Sequence, residues 1–101
     1  MNNKVLTLLG FATKAGKLSF GMEAVKTSIK TNKTNLVVIA NDVSAKSQKE
    51  IAFFTNNKDI KILVLENIDI IELSAAVGRK CGIISVNDEN FAETIVKGGN
   101  A

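Results

Sequence analysis

The sequence of 101 residues contains no histidine and only one cysteine, Cys81. Histidine is the usual general base near neutral pH, so its absence removes the commonest acid–base catalyst. Without histidine, and with one thiol, the chain cannot supply the ligands of an ordinary zinc site. A single cysteine also excludes an internal disulfide and fits a reducing cytoplasm, where we expect the protein to be located. We therefore expect no enzyme, no metal site and no cofactor.

Proline and long apolar runs are also absent. The lack of proline argues against disorder and proline-rich linkers. No apolar run approaches the ~20 residues needed to span a bilayer, so we expect no membrane partner. The apolar residues near the start are helically spaced rather than continuous, which argues against a signal peptide. With 46% hydrophobic residues, the pattern predicts one domain over residues 1–101 with a real core.

The net charge of +3 is unevenly distributed along the chain. Residues 1–50 carry eight lysines against three acids, whereas residues 51–101 carry five basic residues against seven acids. A modest total therefore hides a basic first half. This asymmetry predicts one surface for an anionic partner, of which nucleic acid is the commonest.

Hydrophobic periodicity predicts alternating helices and strands. The predicted helices cover residues 3–14, 22–31, 45–55, 68–77 and 88–97. The predicted strands cover residues 36–40, 62–65 and 82–86, and residues 18–20 form either an edge strand or an extended lead-in. The continuous β-branched run at residues 36–40 is typical of a strand covered on both faces, and residues 62–65 are predicted as a second buried strand. We therefore predict an α/β fold, a three-layer α/β/α sandwich with about four strands and five helices.

Several residues mark the predicted helix ends. Ser44 and Asp88 are N-cap residues for the third and fifth helices. Ala15-Gly16 ends the first helix, Gly78 is the C′ residue of the fourth, and Gly98-Gly99 stops the fifth. Cys81 lies just before an isoleucine-rich strand, so we expect a buried structural thiol.

The segment 14–33 is the strongest candidate for function, because it holds five lysines against the single acid Glu23. Lys26, Lys30 and Lys33 are spaced to share one helix face. Another face is apolar and would dock on a core. The start of this helix should attract anions such as phosphate. The alternative is a solvated amphipathic helix without a binding role.

Two alternatives, a phosphate-binding loop and a phosphoacceptor domain, do not fit the sequence. Five residues, rather than four, separate Gly10 from Gly16, and Leu18 follows Lys17 where a phosphate-binding loop needs serine or threonine. A phosphoacceptor domain needs clustered acids after its first strand, and Asp42 stands there alone. Neither class of protein fits the chain.

Three segments, AGKLSFGMEAVK, LVVIANDVSAKS and ELSAAVGRKCGIISV, together carry a resemblance to a known family. From about Val5 to Lys97 the chain resembles the ribosomal protein L-seven-Ae family, and particularly its short bacterial, ribosome-associated members. The resemblance implies an α/β/α sandwich and a non-catalytic protein that recognises structured, kink-turn-like RNA, including ribosomal RNA. Nothing in the sequence demands more than a monomer.

The resemblance also implies an RNA site made of three elements. At the start of the second helix, Glu23 would accept hydrogen bonds from guanine and Lys26 would pair with phosphate. The other elements are the turn at residues 41–42 and the loop at residues 77–80, where Val77 would cover an extruded base. The predicted RNA-contacting residues are Lys14, Lys17, Gly21, Met22, Glu23, Lys26, Lys30, Asn41, Asp42, Val77, Gly78, Arg79 and Lys80.

One residue departs from the family pattern. Met22 stands where archaeal and eukaryotic members have an asparagine that reads guanine, and methionine can pack against a base without making those hydrogen bonds. Structural alternatives also remain for four other positions. Glu23 would pair with a lysine of its own helix, Gly78 would only end a helix, and Arg79 would be a solvated charge together with Lys80. The alternative function is a protein-interaction module of a ribonucleoprotein assembly without direct RNA contact.

Overall fold

Helices and strands alternate through residues 4–99, the part of the chain that the computed structural model describes. The helices are α1 (Lys4–Lys14), α2 (Met22–Lys30), α3 (Ala45–Thr55), α4 (Ile70–Val77) and α5 (Glu89–Gly99). The strands are β1 (Leu18–Phe20), β2 (Leu36–Ala40), β3 (Lys61–Leu65) and β4 (Ile83–Val86). The predicted element order is confirmed. The predicted helix start at residue 3 lies outside the described residues.

The four strands form one mixed sheet in the order β1-β4-β2-β3. Strand β4 is antiparallel to both β1 and β2, whereas β3 is parallel to β2. The carboxyl ends of β1, β2 and β3 therefore lie at the same end of the sheet as the start of β4. We call this the site end of the sheet, and it is marked by Phe20, Ala40, Leu65 and Ile83.

Both faces of the sheet are covered by helices, as the apolar run of β2 predicted. Leu36, Val38 and Ala40 point into a core shared with α1, α4 and α5. Val37 and Ile39 point into a second core shared with α2 and α3. All five side chains of β2 are buried, and each large one contributes about 1.5–3 kcal/mol relative to an exposed position. The predicted α/β/α sandwich is confirmed.

Most of the predicted helix ends are confirmed by hydrogen bonds. The Ser44 hydroxyl accepts the Ser47 N–H at 3.1 Å, and the Asp88 carboxylate accepts the Phe91 N–H at 3.0 Å. Gly16 has φ +71 after the last turn of α1, a left-handed conformation that glycine adopts without strain. These contacts set where α3 and α5 begin and where α1 ends.

Three predictions about element bounds and burial are wrong. Strand β3 was expected to be buried, but it lies at the sheet edge and its Val64 is 40% exposed. Helix α4 begins at Ile70 rather than at residue 68, because Asp69 and Glu72 form a capping box. Helix α5 does not stop before its glycines but includes them, and Gly98 is buried against α1.

Candidate functional site

The start of α2 and the last residue of β2, which leads into the turn, are both hydrogen-bonded to the start of β4. The Gly21 N–H donates to the carbonyl of Ile83, and the Ala40 N–H donates to the carbonyl of Gly82, each at 2.9 Å. These backbone bonds place the first two predicted elements on either side of one short segment. The sheet topology thus brings together residues that are far apart in the sequence.

The loop between α4 and β4 reaches the same place. The guanidinium carbon of Arg79 lies 4.8 Å from the ring centroid of Phe20, the last residue of β1. A guanidinium over an aromatic ring at this distance is attracted by the ring quadrupole. Arg79 and Lys80 are both exposed. All three predicted elements therefore meet at the site end of the sheet.

The N-terminus of α2 has no side-chain cap, and its first turn carries the exposed carboxylate of Glu23. Gly21 has φ +87 and ψ 162, a backbone conformation that is essentially restricted to glycine, and it supplies no side-chain cap. The first-turn N–H groups of α2 therefore remain for water or a ligand. The Glu23 side chain is 93% exposed, and only a long contact of 3.9 Å joins it to Lys26. The structure therefore shows the predicted pairing of Glu23 on its own helix as a contact at the limit of ion-pair distance, and it leaves most of the carboxylate accessible to a ligand.

Lys26 has an internal partner that the sequence analysis missed. Its ammonium pairs with the carboxylate of Glu50 on α3 and lies 4.8 Å from the Phe54 ring centroid. The hydrogen bond from Lys26 to Glu50 raises the pKa of the Lys26 ammonium above its ordinary value of 10.5. The side chain is only 16% exposed. The structure places Lys26 in the contact between α2 and α3, and a phosphate would have to compete with Glu50 for it.

Met22 faces the interior rather than the tip of α2. It packs against the core formed by Val25, Ile29 and the sheet, so the predicted apolar face of this helix is confirmed. Lys33 does not share a helix face with Lys26, because α2 ends at Lys30 and Asn32 is left-handed with φ +59. That part of the prediction is wrong.

Asn41 and Asp42 are engaged in holding the segment that leads into α4. The Asn41 side-chain amide donates to the carbonyl of Glu66 at 2.8 Å, and its backbone N–H donates to the carbonyl of Ile68 at 2.9 Å. The Asp42 carboxylate accepts the Ile70 N–H at 2.8 Å. Both residues are exposed, but their hydrogen bonds hold the turn against the segment that leads into α4.

Val77 lies in the core and not on the surface. It is 5% exposed, so its side chain offers no face to an extruded base, and the predicted role needs this correction. Gly78 follows with φ +75 and ends α4. The Ser74 hydroxyl accepts the Cys81 N–H at 3.0 Å and donates to the Cys81 carbonyl at 3.1 Å. These bonds tie the loop back onto α4.

Cys81 is buried, as predicted. Burial raises the pKa of its thiol above the ordinary value of 9.0, and the nearby charge of Arg79 opposes this effect. A thiol with a raised pKa is a poor nucleophile. Among residues 4–99 no group of three or more acidic or cysteine side chains could hold a metal ion.

The remaining predicted lysines are not gathered at one place. Lys14 lines a shallow cavity of about 350 Å³ together with Val77 and Gly78, which brings it near the third element. Lys17 lies at the opposite end of β1 from Gly21, where its carbonyl accepts the Asn87 N–H. Lys30 lies in the last turn of α2. The structure therefore separates Lys17 and Lys30 from the site end of the sheet.

Two of the exposed apolar residues that were not predicted from the sequence lie on α3 and α4. Phe53 on α3 is 75% exposed, and Ile71 in the first turn of α4 is 78% exposed. Both were detectable in principle, because each lies off the buried stripe of its helix. None of the helices in the described part of the chain is long and apolar enough to cross a membrane.

Comparison with known proteins identifies the fold family. The model of the ribosomal protein L7Ae/L30e/S12e/Gadd45 family matches residues 3–96. The chain belongs to this family. The resemblance carried by the three sequence segments is thereby confirmed.

The individual proteins to which the chain is similar are distant in sequence. The RNA-binding protein YlxQ of Enterococcus faecium is 27% identical over 90 residues, which cover 89% of this chain and 85% of that protein. A solved protein of unknown function from Bacillus halodurans superposes with a TM-score of 0.91 at 24% identity, covering 97% of this chain and 98% of that one. The 15.5kD RNA binding protein of Giardia lamblia superposes with a TM-score of 0.77 at 14% identity, covering 95% and 82%. At these identities the two structures establish the fold.

Proposed function

We propose that this protein binds structured RNA without catalysing a reaction, and that the RNA lies across the site end of the sheet. The observation that carries the proposal is the meeting of the open start of α2 with the loop that bears Arg79 and Lys80. Family membership and the name of the YlxQ relative support the same class of ligand. RNA is recognised mostly through its shape, its phosphates and a few base edges, which suits an exposed site of this kind.

Each part of the site has a distinct task in this proposal. Glu23 projects into solvent from the first turn of α2, so its carboxylate accepts hydrogen bonds from guanine N–H groups. The N–H groups of the same turn and the cations Arg79 and Lys80 meet phosphates. Met22 packs inward, so the guanine contacts depend on Glu23. The ligand that fits this division is a kinked RNA with tandem G·A pairs, a kink-turn.

Binding would select the bent form of such an RNA. A protein that contacts only the kinked conformation shifts the RNA toward it by its differential affinity for the two states. We place this activity in the cytoplasm and on ribosomal or another structured RNA, with the protein acting as a monomer.

A paired titration tests the proposal. A kink-turn RNA is compared with the same RNA in which the tandem G·A pairs are replaced by Watson–Crick pairs, and the first should bind more tightly. Equal affinities would contradict kink-turn recognition. If about four to five phosphates are contacted, log K should fall with log[salt] at a slope of about −3 to −4. An affinity that does not change with salt would contradict binding through phosphate contacts.

The exposure of Ile71 favours a second candidate function. Ile71 is 78% exposed and shares a face of α4 with the exposed Ala75, which lines a shallow cavity together with the exposed Phe11. Neighbouring exposed apolar side chains are typical of a protein contact, whereas a single one is not. In that case the chain would be an interaction module of a ribonucleoprotein assembly. Co-purification with the assembly that survives nuclease treatment, together with no affinity for purified RNA, would support this function over the first.

A further inference from the structure

Helices α2 and α3 lie side by side and run in the same direction. Lys26 of α2 pairs with Glu50 of α3. One helical turn further along each helix, the ammonium of Lys30 lies 5.4 Å from the ring centroid of Phe54. Both contacts move four residues toward the C-terminus on each helix, so the two helices run parallel and begin at the same level. The outer face of α3 therefore begins beside the proposed RNA site and leads away from it.

The outer face of α3 presents two lysines and an aromatic ring. Lys46, Lys49 and Phe53 follow i, i+3, i+7 spacing, all three are exposed, and we call them the α3 stripe. The Phe53 ring stands edge-to-face with Phe54, with centroids 5.7 Å apart and planes at 89°. Phe54 itself is covered by the cations of α2. Phe53 is thus held in place by its neighbour while most of its own surface meets solvent.

The charge around the α3 stripe is cationic. The acid on the same side of α3 is Glu50, and its charge is taken up by Lys26. Among residues 4–99, no carboxylate lies within ion-pair distance of Lys30, Lys46 or Lys49. Lys46, Lys49 and the exposed Phe53 ring therefore remain available to an outside partner, while Lys30 adds its charge from its place over the Phe54 ring.

We propose that the α3 stripe binds a single-stranded RNA segment that continues from the structured RNA at the site end of the sheet. An unpaired base stacks on Phe53, and its flanking phosphates lie on Lys46 and Lys49. Every base has a stackable face, so an exposed ring beside cations is suited to RNA of any sequence. Phe53 lies about 10 Å along α3 from Lys46, at 1.5 Å per residue. Lysine is depleted from the buried centres of protein interfaces, so the composition favours RNA over a protein partner.

The test uses RNAs that differ only in an unpaired tail, because this inference rests on the proposed function. A kink-turn RNA is titrated without a tail and with an unpaired tail of about six nucleotides at either end. One of the tails should lower the Kd of the wild-type protein by about 5- to 150-fold, the range expected for one stacked base. Phe53→Ala should abolish this gain and leave the affinity for the untailed RNA unchanged.

The outcomes separate the two proposals. If the untailed RNA binds and neither tail adds affinity, the inference about the α3 stripe is overturned while the proposed function stands. If neither the tailed nor the untailed RNA binds, both are overturned. A gain that survives in Phe53→Ala also overturns the inference, because the tail would then be held elsewhere.

Matched variants identify the interaction as stacking. Phe53→Trp should keep the gain from the tail, whereas Phe53→Leu, which retains an apolar side chain without a ring, should lose it. Equal gains in both variants would indicate apolar packing and overturn the stacking assignment. Lys49→Ala should reduce the gain, and Lys97→Ala on α5, in the opposite helix layer, should not. Equal Tm values for all these variants should exclude unfolding as the cause.

Discussion

Gly21 is the residue whose backbone most directly sets the geometry of the proposed site, and Gly21→Ala tests that assignment. Its φ of +87 and ψ of 162 lie in a region that side chains with a Cβ essentially avoid. A Cβ built there would meet no atom within 4 Å, so any loss of stability comes from backbone strain and not from a clash. Holding a non-glycine residue in such a region costs about 1–3 kcal/mol.

The chain can accommodate the alanine in two ways. It can keep its path and carry the strain, or it can relax and lose the hydrogen bond from the Gly21 N–H to the Ile83 carbonyl, which is worth about 0.5–1.5 kcal/mol. The second route also shifts the start of α2 away from β4. Relaxation is therefore the route that harms RNA binding most.

Denaturation and RNA titration together distinguish these effects. The free energy of unfolding should fall by about 1–3 kcal/mol, which for a domain of this size lowers Tm by about 4 to 24 °C. Gly16→Ala is the matched control, because Gly16 also has a positive φ and open space around its Cβ position but ends α1 away from the site. Both variants should lose stability, and only Gly21→Ala should also lose RNA affinity. A Gly21→Ala protein with wild-type stability and wild-type RNA binding would refute the reasoning.

Three further substitutions probe charge and packing. Glu23→Ala should leave Tm unchanged, because the side chain is 93% exposed. The variant should also lose the preference for RNA with G·A pairs. If titration shows that the preference is retained, another residue must read the guanines. Glu50→Gln releases Lys26 from its internal ion pair. The affinity for all structured RNAs should therefore rise to the same extent at low salt. Weaker RNA binding by this variant would contradict competition between Glu50 and phosphate for Lys26. Gly98→Ala should raise the free energy of unfolding by about 0.5–1 kcal/mol, because the helical position leaves 3.6 Å to the Val5 side chain; chemical denaturation that shows destabilisation would contradict that packing.

Local patterns in the sequence were sufficient for the element order and for several bounds. The β-branched run at residues 36–40 is buried throughout, and α3 spans Ala45–Thr55 as predicted from the Ser44 cap. These features depend on residues close together in the chain. A buried strand or a capped helix carries its own signal, so no knowledge of the rest of the fold was needed.

Features that depend on distant residues were not predictable in the same way. The edge position of β3 follows from the order in which strands pair, which its apolar sequence does not encode. The partner of Lys26 is Glu50 on another helix, and helical spacing reveals only neighbours on the same helix. The RNA-contacting role of Val77 came from the family resemblance, which carries no information about burial, whereas its position on the inner stripe of α4 buries the side chain.

The three predicted site elements could be brought together only by the fold. The resemblance pointed to residues in three separate segments, and the hydrogen bonds of Gly21 and Ala40 to the start of β4 explain why those segments are neighbours. The side-chain hydrogen bonds of Asn41 and Asp42 could not be predicted, because their partners lie about 25 residues away, in the segment that leads into α4 and at its first residue.

The central position of β4 has a consequence for the order of events during synthesis. Strands β1 and β2 are not neighbours in the sheet, since β4 lies between them, and the ribosome makes β4 last of the four. Chains emerge from the amino terminus at about 5–20 residues per second. For several seconds a nascent chain therefore holds the α2 lysines without the strand that aligns Gly21 and Ala40. The RNA site should thus be absent from growing chains, and it should form only once residues 82–86 have emerged.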